Sequence, residues 1–300
     1  MTTAFTGALR AAAAAPYLSA GYFAWYFARG KLGGDPAFLA VLERGLIPDN
    51  ARILDLGCGQ GLLASWLFSA RALFEAGHWP ARWSPAPKPM AYQGIELNPR
   101  EVQRARLALG ERAEFVRGDM RTADFGRSDT VVILDALHYI DYCAQGEVLS
   151  RARDALVPGG GIVLRIGDAD GGLPFRISNW VDHLVAFTRG HRLSRLYCRP
   201  LQDWQALLRR LGFTVQSVPM SQGTPFANVL LIARLGCAAR SLHSLGDELV
   251  AGISGDRAHK VAAGSAWVRE RLRCVTSPLE CRLVDPHRCV PARSRRSLAG

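Results

Sequence analysis

The seven cysteines of this 300-residue chain include no pair in the CxxC spacing of zinc ribbons and redox motifs. Their odd count favours a reduced, cytoplasmic protein, as does the weak signal-peptide character of the first residues, where Arg10 is the only early cation. Cys274, Cys281, His287 and Cys289 lie close in sequence, but their spacing matches no common set of zinc ligands. We therefore expect a protein with reduced thiols and no metal site.

Long uninterrupted apolar runs are also missing from the sequence. Residues 11–28 carry no charge, yet Pro16, Ser19 and Gly21 interrupt them, and alanine contributes little to membrane insertion. An amphipathic helix fits this stretch better than a membrane span, because large side chains recur there at helical spacing. These are Leu18, Tyr22, Trp25, Tyr26 and Arg29. We expect the aromatic face to pack on the domain, with covering an active site or lying on a lipid interface as alternatives.

A dense basic stripe interleaved with aromatic residues is absent too, although the formal net charge is +11. Residues 237–300 hold 11 Lys and Arg against 6 Asp and Glu, so +5 of the total lies in that segment. The remaining excess is spread over a much longer span. Charge therefore does not indicate a nucleic-acid partner, and we expect residues 237–300 to be a basic, loosely ordered tail.

The most informative stretch that the chain does contain is RILDLGCGQG, residues 52–61. Its apolar first half is typical of a buried parallel strand. Gly57, Gly59 and Gly61 follow at every second position, and glycines at that density let the backbone turn sharply and approach a ligand closely. The apolar run from Leu62 to Phe68 then predicts a helix whose first N–H groups face the turn. This arrangement indicates a site for a small polar ligand.

Two nucleotide-cofactor families use a strand, a glycine turn and a helix in this order. The dinucleotide fingerprint GxGxxG requires its third glycine where this chain has Leu62. The form DxGxGxG, from Asp55 to Gly61, instead resembles motif I of the class I S-adenosylmethionine-dependent methyltransferases. Downstream, a helix over residues 145–156, a turn at Pro158–Gly161 and an apolar strand over residues 162–166 resemble a second motif of that family.

Apolar runs predict seven strands, over residues 52–56, 91–97, 113–117, 129–135, 162–166, 213–218 and 227–235. The last two follow each other with no helix between them, as in the antiparallel hairpin that closes the sheet in that family. The resemblance, which covers about residues 50–235, implies an α/β fold. We expect a Rossmann-like seven-stranded, mostly parallel sheet with helices on both faces and a C-terminal antiparallel strand pair.

The domain organisation expected from this resemblance has three parts. Residues 1–47 form an N-terminal helical segment that acts as a cap or interface. Residues 48–236 form the methyltransferase domain, with insertions near 76–90 and 168–200, of which the second is expected to be a substrate lid. Residues 237–300 form the tail.

The resemblance implies that the cofactor is S-adenosyl-L-methionine. Glu96, near the end of the second strand, is placed to accept hydrogen bonds from two ribose hydroxyls. Asp119, directly after the third strand, is placed to accept a hydrogen bond from the adenine amino group, and Met120 to pack on the adenine ring. The full set of expected cofactor-binding residues is Asp55, Gly57, Cys58, Gly59, Gly61, Glu96, Leu97, Asp119, Met120 and Asp135.

Methyl transfer is an in-line displacement, which requires donor and acceptor to be held in line with water excluded, and requires no metal. His138, three residues beyond Asp135, is the candidate catalytic base, because an acceptor must often lose a proton. His183 and His191 are weaker alternatives. Four aromatic residues are candidates for the wall of an acceptor pocket, namely Tyr22, Trp25, Tyr26 and Tyr139.

These features together predict a methyltransferase that acts on a small, partly hydrophobic acceptor. A phenolic, acyl or polyketide-like molecule is expected, with O-methylation favoured, and the N-terminal segment is a candidate for contact with a membrane surface or a carrier protein. Three alternatives stay open: an NAD-dependent oxidoreductase of Rossmann type, a nucleic-acid methyltransferase, and a non-catalytic cofactor-binding domain. Against the nucleic-acid methyltransferase, this chain lacks the NPPY-type tetrad that such enzymes use on flipped bases. The sequence DALH stands at that position.

Overall fold

The computed structural model describes residues 2–170, 196–220 and 227–236. The tail 237–300, most of the expected lid, His183, His191 and the residues considered as zinc ligands lie outside the described residues.

In the described part of the chain, the helices are α1 (Thr2–Ala14), α2 (Tyr22–Gly34), α3 (Pro36–Glu43), α4 (Leu62–Glu75), α5 (Pro99–Leu109), α6 (Tyr142–Ala155) and α7 (Leu201–Arg210). Segments of 3₁₀ helix span Ala15–Ala20, Gly110–Arg112 and Leu137–Tyr139. The strands are β1 (Arg52–Leu56), β2 (Ala91–Glu96), β3 (Glu114–Arg117), β4 (Ser128–Leu134), β5 (Leu156–Gly167), β6 (Phe213–Pro219) and β7 (Asn228–Leu235).

The strands form one sheet in the order β3-β2-β1-β4-β5-β7-β6. Strands β1 to β5 are parallel, and β7 runs antiparallel to both β5 and β6. The mostly parallel sheet with a closing antiparallel pair is thereby confirmed. Because the strand order reverses between β1 and β4, the carboxyl ends of these two strands flank the crevice where such sheets bind ligands.

Apolar side chains of alternating orientation build a core on each face of the sheet. Along β1, Ile53 joins the core that contains Trp66 of α4, whereas Leu54 and Leu56 join the core that contains Trp204 of α7. This alternation follows from the twofold period of a strand, whose successive side chains point to opposite faces. Both faces of the sheet are consequently covered by helices, and its carboxyl edge is the part available for a site.

Two of the helices that a polar side chain caps begin with a proline. The Asp35 carboxylate accepts a hydrogen bond from the backbone N–H of Ala37 at 3.0 Å, and the Asn98 side chain accepts one from the N–H of Arg100 at the same distance. Each capping residue is followed by a proline, whose fixed φ suits the first helical position and whose missing N–H costs no bond there.

The single helix expected over residues 11–28 is wrong. Helix α1 ends at Ala14, a 3₁₀ segment with Pro16 near its start follows, and α2 begins only at Tyr22. Gly21 joins the two with φ of 99°, a conformation that side chains with a Cβ rarely adopt. In the described residues, no helix is both long enough and apolar enough to cross a membrane.

The turn expected at Pro158–Gly161 lies inside a strand. β5 begins at Leu156, and the pairing with β4 shifts register between Ser128 and Thr130, so the extra residues form an irregularity in the strand. A Cβ on Gly160 would lie 2.8 Å from the backbone oxygen of Asp129, and glycine avoids that collision. Gly160 and Gly161 therefore permit close approach of neighbouring strands, whereas Gly159, with φ of 76° and no atom near its Cβ position, has the left-handed conformation of a turn residue.

Candidate functional site

The three glycines after β1 have different roles in the turn. Their φ angles of 74°, 55° and 76° at Gly57, Gly59 and Gly61 all lie in the left-handed region. A Cβ on Gly57 would lie 2.5 Å from the Cβ of Ala136, and one on Gly61 would lie 2.7 Å from the ring of Phe115. A Cβ on Gly59 would meet no protein atom within 4 Å. The outer glycines thus allow close packing, while the middle one leaves space for a ligand against the backbone.

Glu96 at the end of β2 faces this turn. One carboxylate oxygen accepts a hydrogen bond from the backbone N–H of Gly59 at 3.0 Å, and the other accepts one from the N–H of Asn98 at 2.8 Å. Two backbone donors therefore fix the carboxylate, and its remaining lone pairs are free to accept from hydroxyl groups. Leu97, the next residue, is exposed beside it.

The two residues expected to contact adenine differ in their surroundings. The Cε atom of Met120 lies 3.5 Å from the position of a Cβ on Gly57, so its side chain reaches the glycine turn. The carboxylate of Asp119 accepts hydrogen bonds from the guanidinium of Arg121, at 2.9 Å from Nε and 2.6 Å from Nη2. These bonds lower the pKa of Asp119. Its contact with adenine stays a prediction.

Asp55 and Cys58 lie in the interior. Burial raises the pKa of Asp55 to about 7, even though a hydrogen bond from the Tyr92 hydroxyl lowers it. Burial also raises the pKa of the Cys58 thiol, whose sulfur lies 2.7 Å from the position of a Cβ on Gly94. The buried location of both side chains suits support of the turn from within the core.

The N-terminal helices pack directly on the glycine turn, a contact that sequence reasoning missed. The Tyr17 hydroxyl donates a hydrogen bond to the carbonyl oxygen of Gln60 at 2.9 Å, and the Gln60 side chain donates one to the carbonyl of Ala24, also at 2.9 Å. Helix α4 adds a bond from the Ser65 hydroxyl to the carbonyl of Ala13 at 2.6 Å. The polar Gln60 inside a glycine motif was the one available signal of this contact.

Four charged side chains form a closed ring at the carboxyl edge of the sheet, which we call the charged ring. It consists of Lys31 from α2, Asp35 before α3, Asp135 after β4 and Arg165 in β5. The Lys31 ammonium lies 2.9 Å from Asp35 and 3.1 Å from Asp135. Arg165 pairs through Nη1 with Asp35 and, at 2.8 Å, through Nε with Asp135. Each carboxylate therefore contacts both cations.

The charged ring keeps its carboxylates ionised. Burial opposes ionisation of Asp135, but the charges of Arg165 and Lys31 outweigh burial and lower its pKa. The pKa of Asp35 is lowered for the same reason. Arg165 and Asp35 are only 7% and 5% exposed, so neither can exchange its partner for water. A lone arginine in the apolar run IVLRI was the sequence signal of this cluster, which sequence reasoning missed.

Asp135 connects the charged ring to the glycine turn. Its φ of 55° places a non-glycine residue in the left-handed region, a strain that persists only where surrounding contacts hold it. The next residue, Ala136, is the one that a Cβ on Gly57 would strike. The strained Asp135 therefore lies at the crevice between β1 and β4, close to the expected ligand.

His138 and Tyr139 follow in the 3₁₀ segment after β4. The His138 side chain is buried, its ring lies 4.2 Å from that of Tyr139, and its backbone carbonyl accepts a hydrogen bond from the N–H of Tyr197 at 2.9 Å. The segment thus has a defined position one turn beyond Asp135. Its catalytic role stays a prediction.

The aromatic residues of α2 lie mainly on the surface. Tyr22 and Tyr26 are 75% and 66% exposed, so the expected packing of these two side chains on the domain is wrong. Trp25 is half-buried, and the Arg29 guanidinium lies 4.7 Å from its ring. The structure therefore does not bring Tyr22 and Tyr26 together with Tyr139 as walls of an enclosed pocket.

Similarities to known proteins agree with this geometry. A family profile described as a methyltransferase domain matches residues 25–218. Carboxy-S-adenosyl-L-methionine synthase of Chromohalobacter salexigens is 33% identical over 120 residues, which make up 38% of this chain and only 39% of that relative. The structure of an O-methyltransferase family protein from Burkholderia thailandensis superimposes with a TM-score of 0.51 and 21% identity, over 73% of this chain and 62% of that one. At that identity, the structural likeness bears on the fold.

The raised pKa of Asp55 should make stability depend on pH. An unfolded aspartate titrates near about 3.9, so between roughly pH 4 and 7 the folded state holds a proton that the unfolded state releases. Stability contributed by this group is greatest below that window and is lost as pH rises through it. We expect the unfolding free energy of the native protein, minus that of Asp55→Asn, to fall by roughly 3 kcal/mol between about pH 5 and 8. Denaturant titration of both proteins at each pH measures this difference in unfolding free energy.

The control for this experiment is Asp154→Asn, a change at an exposed aspartate on α6. The unfolding free energy of the native protein minus that of Asp154→Asn should stay constant over the same pH range. A flat difference for Asp55→Asn as well would contradict a protonated Asp55.

Removing one cation from the charged ring should be costly, because Arg165→Met leaves the buried Asp35 and the half-buried Asp135 with only Lys31 between them. We expect a loss of about 3–5 kcal/mol in unfolding free energy. The exposed Arg210→Met should cost less than about 0.5 kcal/mol. A cost for Arg165→Met as small as that of the control, measured by chemical denaturation, would show that the ring does not stabilise the fold.

Proposed function

The chain belongs to the methyltransferase-domain family, and we propose that it is an S-adenosylmethionine-dependent methyltransferase that methylates a small, partly hydrophobic acceptor. The feature that carries the proposal is the glycine turn, open above Gly59 and faced by the fixed carboxylate of Glu96. S-adenosylmethionine is its cofactor. When bound, this cofactor supplies a methyl group on a sulfonium that becomes neutral as the methyl leaves.

The residues at the crevice fit that cofactor. Glu96 would accept hydrogen bonds from the ribose hydroxyls, since its carboxylate is fixed and faces the turn. Gly59 would let the chain of the cofactor cross the turn without meeting a Cβ. Met120 would pack against the adenine ring, because its thioether already reaches Gly57. The ionised Asp135 would add negative charge near a positively charged ligand.

The acceptor is proposed to be a phenolic, acyl or polyketide-like molecule that gains the methyl group on oxygen. The support is chemical: the segment after β4 offers the phenol ring of Tyr139 and the imidazole of His138 side by side, 4.2 Å apart between ring centroids. An aromatic wall suits a partly apolar acceptor, and an imidazole suits an acceptor that has a proton to lose. The relatives' own acceptors are not carried over, since the matched part covers only 39% of the curated relative.

His138 is proposed to take the proton of the acceptor hydroxyl. The imidazole would accept the hydroxyl proton while the acceptor oxygen takes the methyl group that the bound cofactor supplies. The location supports this role, because His138 follows Asp135 by three residues at the carboxyl end of β4. Burial of the imidazole would keep competing water away from it.

The cofactor assignment is tested by Gly59→Val. A branched side chain would fill the space above the turn, so we expect affinity for S-adenosylmethionine, measured by calorimetry, to fall by roughly a hundredfold or more. Gly126→Val is the matched control, because Gly126 also has a φ near 56° and no protein atom within 4 Å of its Cβ position. It should show a similar loss of stability with unchanged affinity. A folded Gly59→Val protein that retains affinity, or a native protein that binds NADH instead, would refute the proposal.

The role of His138 is tested by comparing turnover in His138→Ala and His138→Gln. Both should retain affinity for the cofactor and lose about a hundredfold or more in turnover, with the acid limb of the pH–rate profile abolished. Turnover is followed as transfer of labelled methyl to fractions of a native metabolite extract, identified by mass spectrometry. His78→Ala, at an exposed histidine, serves as the control. Recovery of native turnover in His138→Gln would reduce the role of His138 to structure.

A further inference from the structure

Exposed apolar side chains are concentrated on one surface of the described part of the chain. The described residues include seven large apolar side chains that are highly exposed. Five of the seven belong to the 3₁₀ segment Ala15–Ala20, α2 and α5. These five are Leu18, Tyr22, Phe23, Tyr26 and Leu107, which we call the apolar patch. Single exposed apolar residues are ordinary, whereas a group on one surface indicates contact with something else.

Contacts between the elements show that the patch is continuous. The hydroxyl of Ser19 donates a hydrogen bond to the backbone carbonyl of Leu107 at 3.0 Å, so the 3₁₀ segment lies against α5. The guanidinium of Arg104, also on α5, lies 4.7 Å from the ring of Phe23 on α2. Tyr22 and Tyr26 are one helical turn apart beside Phe23. Side chains from three elements therefore share one surface.

The charges around the apolar patch are positive. Residues 2–34 contain no acidic residue, and their cations are Arg10, Arg29 and Lys31, of which Lys31 is already paired in the charged ring. On α5, Arg100 and Arg104 are spaced one turn apart, and the nearby acidic residue, Glu101, is buried and paired with Arg104 at 2.7 Å. Residues 15–34 and α5 thus carry exposed cations and no exposed acidic side chain, which makes their surface electrostatically complementary to an anionic partner.

A groove next to the apolar patch is also lined by apolar and basic side chains. Leu107 forms part of its wall together with Arg106 and Arg117, and its volume is about 300 Å³. Arg106 already donates hydrogen bonds through Nε and Nη2 to the backbone carbonyl of Phe115. The exposed Arg117 suits a phosphate-bearing group, because a planar guanidinium binds phosphate oxygens in pairs. The groove therefore offers a place for a charged headgroup at the edge of an apolar surface.

We propose that the apolar patch is a docking surface for a membrane that contains anionic phospholipids. Tyrosine and phenylalanine at an apolar–polar boundary, with arginines beside them, are the composition by which a helix lies in a lipid interface. The rings would enter the region between headgroups and acyl chains, while Arg29 and Arg100 contact phosphates. Partly apolar acceptors concentrate in membranes, so docking would also bring the crevice close to them. The inference concerns a surface outside the cofactor site and does not depend on the acceptor.

Binding of the full chain to sucrose-loaded vesicles tests this proposal. We compare phosphatidylcholine vesicles with vesicles in which about one-third of the lipid is phosphatidylglycerol. Sedimentation should reveal binding to the anionic vesicles, little binding to the neutral ones, and weaker binding as salt is raised. Absence of binding to anionic vesicles at low salt would overturn the proposal.

Matched variants distinguish vesicle binding by the apolar patch from vesicle binding by basic segments elsewhere in the chain, including residues 237–300. Leu18→Ser/Phe23→Ser should weaken binding to anionic vesicles at least tenfold, whereas Met90→Ser, at a side chain as exposed as Phe23 but outside the patch, should leave it unchanged. Arg29→Gln/Arg100→Gln should weaken binding and reduce its salt dependence, and Arg210→Gln should do neither. Equal binding by the patch variant and the Met90 control would overturn the proposal.

Two further measurements keep the result interpretable. Melting temperature and cofactor affinity of each variant show whether it is folded, independently of vesicle binding. Gel filtration of the native protein and of Leu18→Ser/Phe23→Ser reports whether a second copy covers the surface, and binding to an acidic carrier protein is measured in parallel. A dimer lost in the variant, or carrier binding without vesicle binding, would assign the patch to a protein partner and overturn the membrane proposal.

Discussion

The charged ring is the interaction on which the arrangement of this protein depends. Lys31 and Asp35 come from the N-terminal helices, whereas Asp135 and Arg165 come from two central strands, and each member contacts two of opposite charge. Arg165 and Asp35 are buried, and buried charges are tolerated only when they are paired, so leaving either of them without its partners would be costly. The charged ring therefore joins the N-terminal segment to the carboxyl edge of the sheet at one defined position.

That position determines the surroundings of the glycine turn, the candidate cofactor site. With the N-terminal helices in place, Tyr17 and the backbone of Ala24 bond to Gln60 in the glycine turn. The same ring holds Asp135 in a left-handed conformation beside Gly57. The turn is thus supported from one side by helices and from the other by β4, while the space above Gly59 stays open. A methyl-transfer site needs this combination, since donor and acceptor must be held in line and water kept away.

Local patterns in the sequence were enough to predict the strands and the glycine turn, and the family resemblance supplied the arrangement of the strands in one sheet. Apolar runs with glycine and proline between them located the seven strands, and the absence of a helix before the last strand indicated the antiparallel pair. The turn that begins at Gly57 could be predicted from its glycines, because the left-handed φ angles found there favour glycine. Glu96 was legible because it directly follows an apolar run, and its carboxylate does face the turn.

Features that depend on distant contacts were not predictable in this way. The charged ring joins residues up to 134 positions apart, from Lys31 to Arg165, and no local pattern pairs them. Tyr22 and Tyr26 have the spacing of a packed helical face, yet they are exposed because α2 buries its small residues Ala24 and Ala28 instead.

The most direct test of the central claim is a crystal structure of the protein with S-adenosylhomocysteine. The account predicts that both ribose hydroxyls lie within hydrogen-bond distance of the Glu96 carboxylate and that the ligand crosses the turn over Gly59. A ligand bound elsewhere on the sheet, or a turn filled by the protein's own side chains with no ligand, would contradict it.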